Sequence, residues 1–157
     1  MKRFKSVHGV TLLEIMLVLA IAAMIIVMSV RYYQSAQASQ QANTVLSKLQ
    51  AILASADALG QAGTYTVVNT ASIKPLLANA GGLSTPWSAG ADSITIAGAS
   101  ASYTVTVQNV PPSICGLIYG KVNGKGDLHY SAADNQCQST TAAGNNLVYS
   151  YTPMINQ

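Results

Sequence analysis

Charge is scarce in this sequence. Eight Lys or Arg and five Asp or Glu are spread over 157 residues. Three of the basic residues, Lys2, Arg3 and Lys5, precede Gly9, and the chain beyond Gly9 carries five basic and five acidic residues. The formal charge of +3 therefore belongs to the first nine residues. It gives no reason to invoke nucleic acid, which requires a basic face. A near-neutral remainder has little colloidal repulsion, which suits a chain meant to associate. Catalytic side chains are equally sparse. His8 lies before Gly9, so His129 is the only histidine after it, with Asp127 and Asp134 nearby but no nucleophile beside them. These read as solvated polar residues, and no enzyme activity is expected. No C-x-x-C or H-E-x-x-H occurs, so no metal site is expected. Gly120, Gly124 and Gly126 follow no strand–helix pattern that would make a phosphate loop, and no cofactor is expected.

Proline and glycine are absent from Val10 through Leu59, which removes the two strongest helix breakers from that stretch. Val10–Val30 is almost wholly apolar. As a helix it is about 31 Å long, enough to cross the hydrocarbon core of a bilayer. The basic residues before it keep the N-terminus cytoplasmic and send the rest of the chain outward. Residues 31–44 are good or neutral helix formers with little apolar content. Val45, Leu49, Ile52, Ala56 and Leu59 then recur at helical spacing, with Leu46 and Leu53 beside them, the pattern of one apolar stripe. Gly60 and Gly63 supply the stop. One helix of about fifty residues is predicted, greasy all round in its first half and packed on a globular head in its last third.

Beyond Gly63 the composition shifts to Thr, Ser, Val, Tyr, Gly and Ala. Ala71–Ala80 suggests a short helix ended by Gly81-Gly82. Ser93–Ala97 and Ser102–Gln108 read as strands, and the alternation of Tyr103, Val105 and Val107 with Thr104, Thr106 and Gln108 buries one face of the second. Pro111 through Tyr119 fits a short helix or a strand, since proline opens helices while Ile114, Ile118 and Tyr119 favour strands. Asn123-Gly124 signals a turn, and Asp127–Ser131 and Leu147–Thr152 read as closing strands. The expected architecture is α+β, a small antiparallel sheet packed on the long helix. Cys115 and Cys137 form the only pair. In an exported chain they read as a disulfide, whereas in a cytosolic one they would be two unpaired thiols.

Glu14 is the peculiar residue. An acid inside a membrane span costs at least a few kcal/mol and signals function, although only four residues of the run precede it and it can also snorkel to the surface. If the chain is cut after Gly9, a free α-amino group at Val10 lies one turn away. Glu14 of one copy can then pair with the N-terminus of the next, which registers a head-to-tail polymer.

Gly9-Val10-Thr11-Leu12-Leu13-Glu14 followed by an apolar run resembles the prepilin signature of type IV pilins, pseudopilins and competence pilins. More loosely, Thr85-Pro86-Trp87, the Ser93–Ala97 strand, Val110-Pro111-Pro112-Ser113-Ile114-Cys115, Val122-Asn123-Gly124, Cys137 and Asn145-Asn146-Leu147-Val148-Tyr149 resemble type IVb major pilins of the conjugative thin-pilus group. The short leader departs from the type IVb pattern, while Val10, in place of the Phe typical of type IVa pilins, favours the IVb side. The resemblance implies a leader at residues 1–9 that a membrane-embedded prepilin peptidase removes, with N-methylation of Val10. Residues 10–30 would be the transmembrane and filament-core segment, 31–60 the second half of the same helix, and 61–157 the globular head. It makes Glu14 the assembly glutamate. The implied partners are other copies of the chain, the inner membrane before assembly, the pilus assembly machinery and a cell-surface ligand. The implied destination is an extracellular filament serving adhesion, aggregation or conjugation. Thr11 either helps position the N-terminus in the filament or bonds its own helix backbone. Tyr32 and Tyr33 stand where the helix leaves the membrane. The Cys115–Cys137 loop would form exposed filament surface or act as a staple only. A pseudopilin, minor pilin or DNA-uptake pilin shares this layout. The alternative of another class is a secreted soluble binding module cut near Ala38, after Ala36-Gln37-Ala38.

Overall fold

The computed structural model describes residues 11–60, 64–88, 90–123, 130–132, 137 and 145–151. Helix α1 spans Leu12–Leu59 without a break, 48 residues long. It closes where Gly60 donates its N–H to the Ala56 carbonyl at 2.7 Å. A side chain at Gly60 would meet the Tyr65 ring, whose nearest atom lies 2.5 Å from the position of a Cβ. Glycine thus both stops the helix and makes room for the tyrosine. Gly63 and Val10 lie outside the described residues. Two compact units divide the chain, residues 1–37 and 38–157.

In the second unit, Ala42, Val45, Leu49, Ile52 and Ala56 of α1 are buried, while Leu46, Leu53 and Leu59 are partly buried beside them. The expected stripe is present, with Leu59 at its rim and Ala42 extending it by one turn. These side chains share one hydrophobic core with a four-stranded antiparallel sheet, so the C-terminal part of the long helix packs on the sheet.

The strands are β1 (Ile94–Gly98), β2 (Tyr103–Val110), β3 (Tyr130–Ala132) and β4 (Asn145–Tyr151), in the order β1-β2-β4-β3. Register assembles the core face in rows. Ile94 pairs with Val107 and Val107 with Leu147; Ile96 pairs with Val105 and Val105 with Tyr149. In the third row Gly98 pairs with Tyr103 and Tyr103 with Tyr151. A Cβ at Gly98 would lie 1.9 Å from the Tyr65 carbonyl oxygen, so only glycine fits there. The Tyr65 ring packs on this row, with centroids 5.2 Å from Tyr103 and 6.2 Å from Tyr151.

Strand β2 runs two residues beyond the expected Gln108. The register with β4 shifts between Val107 and Val110, and Asn109 sits at φ 55°. This bulge returns Val110 to the core face. It is held by the Asn109 N–H donating to Asn146 Oδ1 at 3.1 Å. The outer edge of β1 is covered along its length: the Leu83 carbonyl accepts from the Ile94 N–H at 3.1 Å, Thr70 Oγ1 accepts from the Ile96 N–H at 2.9 Å and donates to the Ile96 carbonyl at 3.1 Å, and Asn69 bridges to Ala97. A strand edge sealed this way is a poor template for unwanted pairing.

The expected helix over residues 71–80 is broken into α2 (Thr70–Ile73) and a 3-10 turn at Ala78–Ala80. Pro75 has no N–H to give to Ala71, so the helical ladder cannot continue through it. Gly81 and Gly82 follow in left-handed conformation, at φ 79° and 63°. The open choice at Pro111–Tyr119 resolves as helix α3, Pro112–Asn123. Pro112 occupies the first helical position, where a missing N–H costs nothing, and Ile114 and Cys115 donate to the Pro111 carbonyl, both at 3.0 Å. Gly124 of the expected turn, and residues 127–129 of the first closing strand, lie outside the described residues.

Leu49 is 1% exposed in the head core, whereas Leu19 is 63% exposed. Leu49→Ala is expected to lower head stability by about 2–5 kcal/mol, and Leu19→Ala to leave it unchanged. Urea unfolding of the detergent-solubilised chain, followed by near-UV circular dichroism of the tyrosines, checks both.

Candidate functional site

The N-terminus of α1 is built by Thr11. Its carbonyl accepts from the Glu14 N–H at 3.0 Å and the Ile15 N–H at 3.2 Å, and its hydroxyl faces the Glu14 N–H at 3.4 Å. Thr11 is thus the capping residue, and Glu14 occupies the third helical position. Thr-x-x-Glu is the capping-box spacing, a local signal that the sequence reading passed over. Glu14 also lies where the positive end of the helix dipole favours a carboxylate. Both residues are exposed. Gly9 and Val10, the expected processing positions, lie outside the described residues.

From Leu12 to Val30, fourteen large apolar side chains are 49–79% exposed. No residue of this apolar part of α1 is buried. By length and composition this is one helix able to cross a membrane, as an anchor or as a signal sequence. Ser29 turns its hydroxyl inward on its own helix, donating to the Ile25 carbonyl at 2.8 Å, so it presents no free donor to an apolar surrounding. Tyr32 and Tyr33 are exposed just beyond the apolar stretch, and Gln37 Nε2 donates to the Tyr33 hydroxyl at 2.5 Å.

The head carries two polar arrangements that sequence reasoning missed. The Lys48 ammonium donates to the carbonyls of Gly81 at 3.0 Å and Ser84 at 2.6 Å, and more distantly to Gly82 at 3.4 Å. Burial pulls its pKa down from the usual lysine value. The left-handed glycines let these carbonyls converge, so Lys48 ties the connection before β1 to α1. In the sequence Lys48 is an isolated charge beside Leu49, and its partners lie more than thirty residues away. The second arrangement is Tyr65, whose hydroxyl reaches Asp57 Oδ1 at 3.4 Å. Burial raises the Asp57 pKa, opposed by that hydrogen bond, and burial raises those of Tyr65 and Tyr151, both helped by the Asp57 charge.

Cys115 and Cys137 are joined, with Cα atoms 5.6 Å apart. Cys115 is fully buried on α3 and Cys137 is half-buried after β3. The disulfide therefore closes a loop that runs from α3 through β3, the edge strand paired with β4. Asp127, His129 and Asp134 lie outside the described residues. Among the described residues no group of three or more His, Cys, Asp or Glu side chains comes together.

Removing the disulfide from this loop, with its sequence separation of 22, is expected to cost about 3 kcal/mol. Cys115→Ser/Cys137→Ser should lower the urea midpoint of the head accordingly, with helix content by far-UV circular dichroism retained at low urea. Compared with known protein families, curated proteins and solved structures, the chain matches none.

Proposed function

We propose that the chain is a type IV pilin precursor, cut after Gly9, N-methylated at Val10 and polymerised into a surface filament. The observation that carries the reading is the pairing of two features on one helix. Residues 12–30 leave their apolar side chains exposed on every side, and the same helix continues without a break to become part of the head core. Such a helix is stable only when something apolar surrounds its first part. Lipid does this in the precursor, and neighbouring copies of the same helix do it in a filament. A signal sequence offers the same apolar stretch, but it has no use for an acid at its start or for unbroken helical continuity into the head.

In this reading Glu14 is the assembly residue. It lies four residues after a new N-terminus at Val10, and a carboxylate in an apolar environment gains from an ammonium partner. Thr11 caps the helix and holds that turn in shape. The prepilin peptidase, the inner membrane, the assembly machinery and other copies of the chain are its partners. The finished filament lies outside the cell, where the disulfide-closed part of the head meets other cells or surfaces.

Glu14→Ala is expected to insert in the membrane at wild-type level yet to lower filament yield at least tenfold, judged by immunoblots of membranes and of sheared surface material. Wild-type filament numbers from this variant would contradict the role of Glu14. Replacing Gly9 by a bulky residue should trap an uncut precursor in the membrane fraction, visible as a larger band; normal processing would place the cut elsewhere.

A further inference from the structure

We propose that Arg31 is a second assembly residue, and that its partner is Glu14 of another copy displaced along the helix axis by about 26 Å, seventeen residues at the α-helical rise. The inference rests on the filament reading above. Between Leu12 and Ser47 the only Asp, Glu, Lys or Arg side chains are Glu14 and Arg31. Both are exposed, and the ion pair found among the described residues, Lys74–Asp92, involves neither. They stand near the two ends of the apolar stretch, and the unbroken helix fixes their separation. They therefore cannot pair within one chain.

In a bilayer this spacing needs no partner. The two charges stand about one hydrocarbon thickness apart, and each reaches the headgroups on its own side. Out of the bilayer those headgroups are gone, and each charge borders apolar packing where an unpaired charge is penalised. Copies inserted by the same machinery point the same way. On parallel identical helices, an acid and a base seventeen positions apart come level only when one copy is advanced by that distance. The advanced copy places its Glu14 beside the Arg31 of the copy behind it, and its own Arg31 stays open for the next. Such a contact is heterologous and leaves a free end at each step, so it propagates an open polymer rather than a closed dimer. The guanidinium fork suits the carboxylate, and a carboxylate has two oxygens, so Glu14 can hold Arg31 of one neighbour and the N-terminus of another.

The test is cross-linking in assembled filaments. Arg31→Lys keeps the charge and gives a primary amine that an apolar carbodiimide can join to a carboxylate; the amide forms and the reagent leaves as its urea. Within one chain Glu14 and the new amine are too far apart to join. Any peptide pair linking Glu14 to the substituted position, found by mass spectrometry after digestion, therefore joins two copies. In parallel, Arg31→Gln and Arg31→Glu should insert in the membrane normally and lower filament yield at least tenfold, with Arg31→Lys within threefold of wild type. The proposal is overturned by filaments of Arg31→Glu at wild-type yield, or by Arg31→Lys filaments that cross-link Glu14 only to Val10 or not at all. Absence of sheared polymer from the wild-type chain would remove the filament reading itself, and this pair with it.

Discussion

Everything in this chain depends on keeping the side chains of Leu12–Val30 out of water. Fourteen large apolar residues there stand 49–79% exposed. At about 1.5–3 kcal/mol for each such side chain moved out of water, the total is of order tens of kcal/mol. The net stability of an ordinary domain is about 5–15 kcal/mol. No rearrangement of the small head could supply cover on that scale. The helix must be surrounded from outside the chain, and the scarcity of charge beyond Gly9 leaves nothing on that stretch to oppose close apolar contact except Glu14.

The head answers a different requirement. Its core is small, and it is closed by devices that do not rely on area alone. Lys48 gathers the carbonyls that precede β1, Thr70 seals the edge of β1, and a disulfide fastens α3 to the residues after β3. Tyr65, Tyr103 and Tyr151 form a cluster of rings, two of them with centroids 4.9 Å apart, over a row in which Gly98 surrenders its side chain to a passing carbonyl.

The parts of the fold legible in the sequence were those set by a period. Val45, Leu49, Ile52 and Ala56 announced the buried face of α1, and Tyr103, Val105 and Val107 that of β2, because one repeats with the helix and the other with the pleat. Ala42 escaped notice because alanine gives little contrast among the small residues around it. The bulge at Asn109 escaped because it breaks the period on which strand reading relies. At Pro111–Tyr119 the helix and strand signals balanced, and Pro112 at the first helical position tipped the outcome. Glu14 stands out in the sequence as an acid in an apolar run, while the cap that Thr11 supplies has only the weak local signal of the Thr-x-x-Glu spacing. The contacts of Lys48 could not be read, since they join residues far apart in the chain and use backbone carbonyls that have no sequence signature.

The most direct test of the filament account is the intact mass of protein sheared from the cell surface. The account predicts residues 10–157 with one added methyl group and two hydrogens lost to the disulfide, recovered from polymer. A soluble product beginning near Ser39 would contradict it, because the apolar helix would then have been discarded rather than built into a filament.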